Sequence, residues 1–229
     1  MDLPSKHVHS VLVDAGVTDI YHANSVTTAC HFLKLKSLLS RGSTERRGLR
    51  QTGQSSDEID KRHGLWVDVF ADSVDIHERA SKRNRYGPVV LRFDVGIIEK
   101  TYTGRIWVAK LNPTKWSGTK RDERWFQTKA DLDSNFTLGT FDHMLVFRHC
   151  GGELPFAGFL QEVIIDDPKM KTADGADLFS IAYGAVRLAL SETRLNVPIS
   201  KRECASRCKC KSEYKAAEEA THEMFVPDV

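Results

Sequence analysis

Apolar and polar positions along this chain change their period often and over short distances. Runs at 11–13, 20–22, 65–70, 88–95, 105–111, 143–148 and 159–165 are brief, apolar or alternating, and rich in Val, Ile, Phe and Trp, which predicts strands; Gly87 and Gly96 bound the run at 88–95. Val26, Ala29, Cys30, Leu33 and Ser37 recur at helical spacing and predict a helix over 25–39 with Asn24 as its N-cap. A second helix is expected over 74–85, with Ile76 and Ala80 inward, and a third over 175–192. Between 41 and 62 the chain is polar, contains Gly42, Gly48 and Gly53, and shows no sustained period, the pattern of a long mobile surface loop of the kind that carries function. Strands and helices do not alternate strictly, so the expected fold class is α+β and not a doubly wound sheet.

Composition narrows the class further. With 229 residues, 41% hydrophobic and 28% charged, the chain is long enough to bury a full core and is not disordered in bulk. Charge interrupts every apolar run before the ~18 residues of a spanning helix, and the first ten residues lack the apolar stretch of a signal peptide. A soluble cytoplasmic protein with no membrane partner is therefore expected. Five cysteines, an odd number without an export signal, fit reduced thiols better than a disulfide framework. Residues 1–200 are read as one domain and 201–229 as a tail helix containing Cys and Lys.

The 33 Lys and Arg nearly balance the 31 Asp and Glu, so attraction to nucleic acid must come from where the charge lies. Lys100, Arg105, Lys110, Lys115, Lys120, Arg121, Arg124 and Lys129 face only Asp122 and Glu123 within 100–129. Trp107, Trp116, Trp125 and Phe126 are interleaved with these cations. Phosphates need cations and unstacked bases need ring faces, so Lys115, Trp116, Lys120, Arg121 and Trp125 are candidate contacts to a single-stranded nucleic acid. A solvated basic face over buried tryptophans has the same composition.

Cys204, Cys208 and Cys210 cluster in the tail, with His222 beyond them. Their spacing is not a two-residue zinc knuckle and a fourth ligand is not obvious, so no metal is expected. The chain has no GxxxxGK, GxGxxG, HExxH or GxSxG pattern, which removes the commonest nucleotide, zinc-protease and serine-hydrolase readings. Glu162 stands out among apolar strand residues in Gln161-Glu162-Val163-Ile164-Ile165, because a carboxylate there must be paired or face a cleft.

Three pieces carry a resemblance to a known family. Tyr21-His22-Ala23-Asn24-Ser25 is similar to the His-containing first motif of the ADP-ribosyltransferase fold. Gly64-Leu65-Trp66, followed by Ser81-Lys82 and Tyr86 ahead of the strand at 88–95, resembles the order of its second motif, with a longer insertion between the pieces. Gln161-Glu162-Val163-Ile164-Ile165-Asp166-Asp167-Pro168 resembles the Glu-bearing strand of DarT-like toxins, and Leu38-Leu39-Ser40-Arg41-Gly42 looks like the end of their first helix. Together the pieces span roughly residues 20 to 168.

The resemblance implies a split antiparallel sheet core with flanking helices. It implies an NAD-dependent transferase of the glycosyltransferase class that attaches ADP-ribose to a base of DNA or RNA. Such a protein would be a toxin of a toxin–antitoxin or phage-defence system, with a cognate antitoxin as partner. Cleavage of the nicotinamide–ribose bond develops positive charge on the ribose, so a carboxylate is needed, and Glu162 would supply it. His22 and Asn24 would anchor NAD, Tyr86 would pack on nicotinamide, Ser81 and Gln51 would add contacts, and Arg41 would meet the pyrophosphate or support the transition state. Leu160 stands where arginine-modifying members of the fold carry Glu or Gln, which disfavours protein arginine as acceptor. The alternative is a non-catalytic nucleic-acid-binding module with a zinc-stapled tail. A metal-dependent nuclease using Asp94 and Glu99 lacks a carboxylate trio at motif spacing.

Overall fold

The computed structural model describes residues 2–101 and 103–227. In chain order the strands are β1 (Leu3–Pro4), β2 (Asp19–Asn24), β3 (Ser37–Leu39), β4 (Val69–Ala71), β5 (Val89–Asp94), β6 (Arg105–Val108), β7 (Leu145–Phe147), β8 (Glu153–Pro155), β9 (Leu160–Ile165) and β10 (Ile199–Lys201). The helices are α1 (Ser5–Asp14), α2 (Val26–Leu35), α3 (Arg41–Arg46), α4 (Asp57–Arg62), α5 (Ile76–Ala80), α6 (Arg121–Arg124), α7 (Lys129–Asn135), α8 (Leu178–Thr193), α9 (Cys210–Ala216) and α10 (Glu218–Phe225). The class is α+β, as expected.

Two four-stranded sheets organise the molecule, in the orders β1-β6-β7-β4 and β10-β9-β5-β2. All pairs are antiparallel except β9 with β10. Strand β2 ends one sheet and β4 ends the other, and the two edges touch through a bridge between Tyr21 and Asp72. That seam positions the site described below. Helices α2, α8 and α10 pack against one another, and their apolar faces share a core with the β10-β9-β5-β2 sheet. Among the described residues no helix is long and apolar enough to cross a membrane.

Several elements differ from the reading of the sequence, each for a local reason. Residues 11–13 are helical: Val8, Val11 and Leu12 are buried while Val13 is exposed, a spacing of three and four that outweighs the apolar triplet. The helix expected over 25–39 ends at Leu35, because Lys36 turns into the left-handed region at φ 53° and residues 37–39 pair with β8 instead. Its cap is Ser25, whose hydroxyl accepts from the Thr28 N–H, and Asn24 closes β2. The expected loop at 41–62 contains α3 and α4, with Ser40 capping the first through the Ser43 N–H. The helix at 74–85 shortens to α5, started by the Asp75 carboxylate and ended at Ser81 with φ 50°. The tail is two helices joined to the core, with Cys210, Tyr214 and Phe225 buried among the central apolar residues.

Candidate active site

A cleft of about 930 Å³, its open mouth included, lies along the seam between the two sheet edges. Residues from β2, the end of β3, α3, α4, β4 and the 82–88 turn line it. His22 and Asn24 of β2, Arg41 at the start of α3, Gln51 beyond that helix and Tyr86 of the 82–88 turn all reach it.

The strand geometry fixes His22 first. Its Nδ1 donates to the Phe70 carbonyl across the seam at 2.7 Å, which leaves Nε2 as an acceptor for the Asn24 side-chain amide at 3.2 Å. Burial holds its pKa below the ordinary value, so the ring is neutral near pH 7 and Nε2 keeps its role as an acceptor. Phe32 of α2 packs against the ring.

Tyr86 enters from the other wall. Burial, reinforced by Asp72 and Asp60, raises its pKa to about 12, so the phenol stays a neutral donor with an aromatic face. The next residue explains how it can sit there. A Cβ on Gly87 would lie 2.0 Å from the Asn24 carbonyl carbon, and Gly87 has φ +150°, so only glycine lets this turn close on the end of β2.

Arg41 opens α3 at the third side. Its Nε and Nη2 donate to the two carboxylate oxygens of Asp57 at 3.0 and 2.7 Å, and the Gln51 amide donates to the Arg41 carbonyl at 3.1 Å. Nη1 of Arg41 and Oε1 of Gln51 are buried without a hydrogen-bond partner among the described residues. Unpaired buried polar atoms are rare and mark positions suited to bind a ligand or water. Gly42 has a similar constraint to Gly87, since a Cβ would meet Trp66 Cδ1 at 2.8 Å.

Four aspartates line the cleft as well. Asp68 is held by Arg148 and Asp75 by Arg202. Asp60 and Asp72 have no ion-pair partner among the described residues, and burial lifts both to about 7. Sequence reading misses them because no motif marks a carboxylate that becomes buried only through tertiary packing.

Two expected site residues do not reach the cleft. Glu162 sits opposite Arg92 and forms an ion pair with it at 3.0 Å. The register places Glu162, Arg92 and Tyr21 in one row and Val163, Leu91 and His22 in the next, so Glu162 and His22 point from opposite faces of the sheet. Tyr21 and Val90, on the Glu162 face, do line the cleft, and Glu162 stands just beyond them. Ser81 is the left-handed cap of α5, and its carbonyl accepts from the Lys209 N–H of the tail.

The basic segment also differs from expectation. Trp107, Trp116 and Trp125 are buried, and Trp125 stacks edge to face on both others at 4.9 Å. Trp116 and Trp125 therefore offer no ring to a base. The interleaved cations cover this small core from outside, with Arg121 over Trp107 and Arg124 over Trp116. Lys115 is paired with Asp142, whereas Lys120 and Arg121 are exposed. Asn112, Pro113 and Thr114 form part of the cleft wall, so Lys115 follows directly on it in the chain.

No family model matches the chain, and no curated protein matches it. Among solved structures it is similar to Thermus sp. 2.9 DarT in complex with ADP-ribosylated ssDNA, at 12% sequence identity and a TM-score of 0.48, over 82% of this chain and 95% of that chain.

Proposed function

We propose that the chain is an NAD-dependent ADP-ribosyltransferase acting on a nucleic-acid base. The observation that carries this reading is the convergence of His22, Asn24, Arg41, Gln51 and Tyr86 on one cleft. The sequence singles out His22, Asn24 and Tyr86 by their resemblance to family motifs, and Arg41 and Gln51 by their place in the polar loop; the five come from segments up to 64 positions apart.

In this reading the Asn24 amide turns away from His22 Nε2, which then accepts from a ribose hydroxyl, Tyr86 covers the nicotinamide, and the unpartnered Arg41 Nη1 donates to the pyrophosphate. The C1′–N bond to nicotinamide breaks with its electron pair leaving on nicotinamide. A nucleophilic atom of the base then forms a bond to C1′ and gives up its proton. Glu162 steadies the cationic ribose after its carboxylate exchanges Arg92 for a ribose hydroxyl on the Tyr21 face. Asp72, poised near neutral pH in the cleft, is the base that takes the proton. Lys120 and Arg121 guide the nucleic acid to the mouth.

The test is calorimetric titration of the full chain with NAD. Wild type should bind, and His22→Ala should weaken binding by about tenfold, the value of roughly one hydrogen bond. Absence of NAD binding by a folded wild-type chain would overturn the reading.

A further inference from the structure

We propose that His77, Cys204, Cys208 and Cys210 bind one structural zinc ion that clamps the C-terminal segment to the wall of the cleft. One ligand atom from each residue lies within 4.8 Å of all the others. His77 Nε2 is 3.3 Å from Cys208 Sγ and 3.5 Å from Cys204 Sγ, and Cys204 Sγ is 3.4 Å from Cys210 Sγ. Zinc bonds of about 2.3 Å to sulfur and 2.0–2.1 Å to nitrogen set the edges of a tetrahedron at about 3.5–3.8 Å. The four atoms are therefore already close to the corners of such a site. Three thiolates and one imidazole make a closed Cys3His set, which suits zinc in a structural role and leaves no open position for chemistry.

The surroundings of His77 point the same way. Its Nδ1 donates to Asp166 Oδ2 at 2.7 Å, so Nε2 carries the lone pair that faces the sulfurs. The Asp166 carboxylate is itself held by the Tyr214 hydroxyl at 2.6 Å and by Arg202 Nε at 2.5 Å. A buried carboxylate that orients the histidine and is fixed by further donors is the usual outer shell of a zinc ligand. Pairing of two cysteines as a disulfide would leave the third thiol and the imidazole aimed at nothing. All five cysteines are free, and Cys30 and Cys150 lie outside the cluster.

The position gives the ion a role. His77 belongs to α5, and the two residues before it, Asp75 and Ile76, line the cleft. Asp75 caps that helix through the His77 N–H at 2.9 Å and accepts from Arg202 Nη2 at 2.6 Å. The tail loop is joined to the end of α5 by the Lys209 N–H, which donates to the Ser81 carbonyl at 2.8 Å. A metal on these four ligands would hold one wall of the cleft in place from the C-terminal side.

The experiment is elemental analysis of the full chain, purified with reductant and without chelator. About one zinc per chain is expected, with His77→Ala and Cys208→Ser each binding less than a tenth of that. Exchange into cobalt(II) should give the visible absorption of a tetrahedral thiolate site, and chelation should lower the melting temperature of wild type but not of Cys208→Ser. Two results would overturn the proposal. One is a folded wild type with reduced thiols that takes up neither zinc nor cobalt. The other is an intact mass short by two hydrogens together with a peptide map that links two of Cys204, Cys208 and Cys210, which would put a disulfide in place of the metal.

Discussion

Asp57 grips Arg41 through both carboxylate oxygens, at 3.0 and 2.7 Å, and leaves the third guanidinium nitrogen buried and unpartnered at the cleft. Arg41 is fixed in direction by a residue 16 positions away while one donor stays open for an anion. A lysine cannot fill this fork, since it offers a point charge and no planar pair of donors. Arg41→Lys should therefore weaken NAD binding about as much as Arg41→Ala, by tenfold or more at ~1.5–3 kcal/mol for a charged hydrogen bond. Calorimetry on both variants checks this, and a lysine variant with wild-type affinity would count against it.

The pH dependence of stability should carry the mark of the cleft aspartates. Asp60 and Asp72 are raised from 3.8 to about 7, so between about pH 4 and 7 the folded chain retains protons that the unfolded chain has lost. Stability contributed by these two groups is present at low pH and falls as pH rises through that window. The double variant Asp60→Asn, Asp72→Asn should show a shallower decline in melting temperature from pH 5 to pH 8 than wild type. Parallel declines in the two proteins would contradict the assignment.

Trp125 should behave as a core residue. Trp125→Ala removes the ring on which Trp107 and Trp116 both pack, and should cost ~3–5 kcal/mol in chemical denaturation. Lys120→Ala, at an exposed position, should change stability by no more than ~0.5 kcal/mol.

The motifs around His22, Arg41 and Tyr86 are legible in the sequence because each is short and its residues lie close to a strand or helix end. Glu162 is legible as an unusual strand carboxylate, but the face it points to depends on the β5–β9 register, which shifts at Arg92 and Phe93 and cannot be read from one strand. The alternation of Lys and Arg with Trp looks the same in sequence whether the rings stack on bases or lie under the cations. Packing on Trp125 decides for the second. His77 escapes notice as a partner of the tail cysteines because it lies 127 residues before Cys204 in the chain. The two helices in 41–62 escape because they are single turns and a half, capped by Ser40 and by acidic first-turn residues, too short for a period to register.

Lys120 and Arg121 are exposed cations of the 100–129 segment. Removing a cation that meets a phosphate should flatten the log–log salt dependence of nucleic-acid binding by about one unit. Lys120→Ala with Arg121→Ala should lower the slope by about two units, and adding Lys115→Ala should lower it less, because Asp142 already neutralises that ammonium. Fluorescence anisotropy with a labelled single strand over a salt series measures the slope. An unchanged slope would make this surface a solvated face only.

Transfer of ADP-ribose is read out by incubating the full chain with NAD labelled in its adenylate half and with separate pools of single-stranded DNA, RNA and protein. One of the nucleic-acid pools should carry label with release of nicotinamide, and Glu162→Gln should lower that label by at least ~100-fold while keeping its fold. Wild type that releases no nicotinamide and labels none of the pools, or a Glu162→Gln variant that labels as well as wild type, would contradict it.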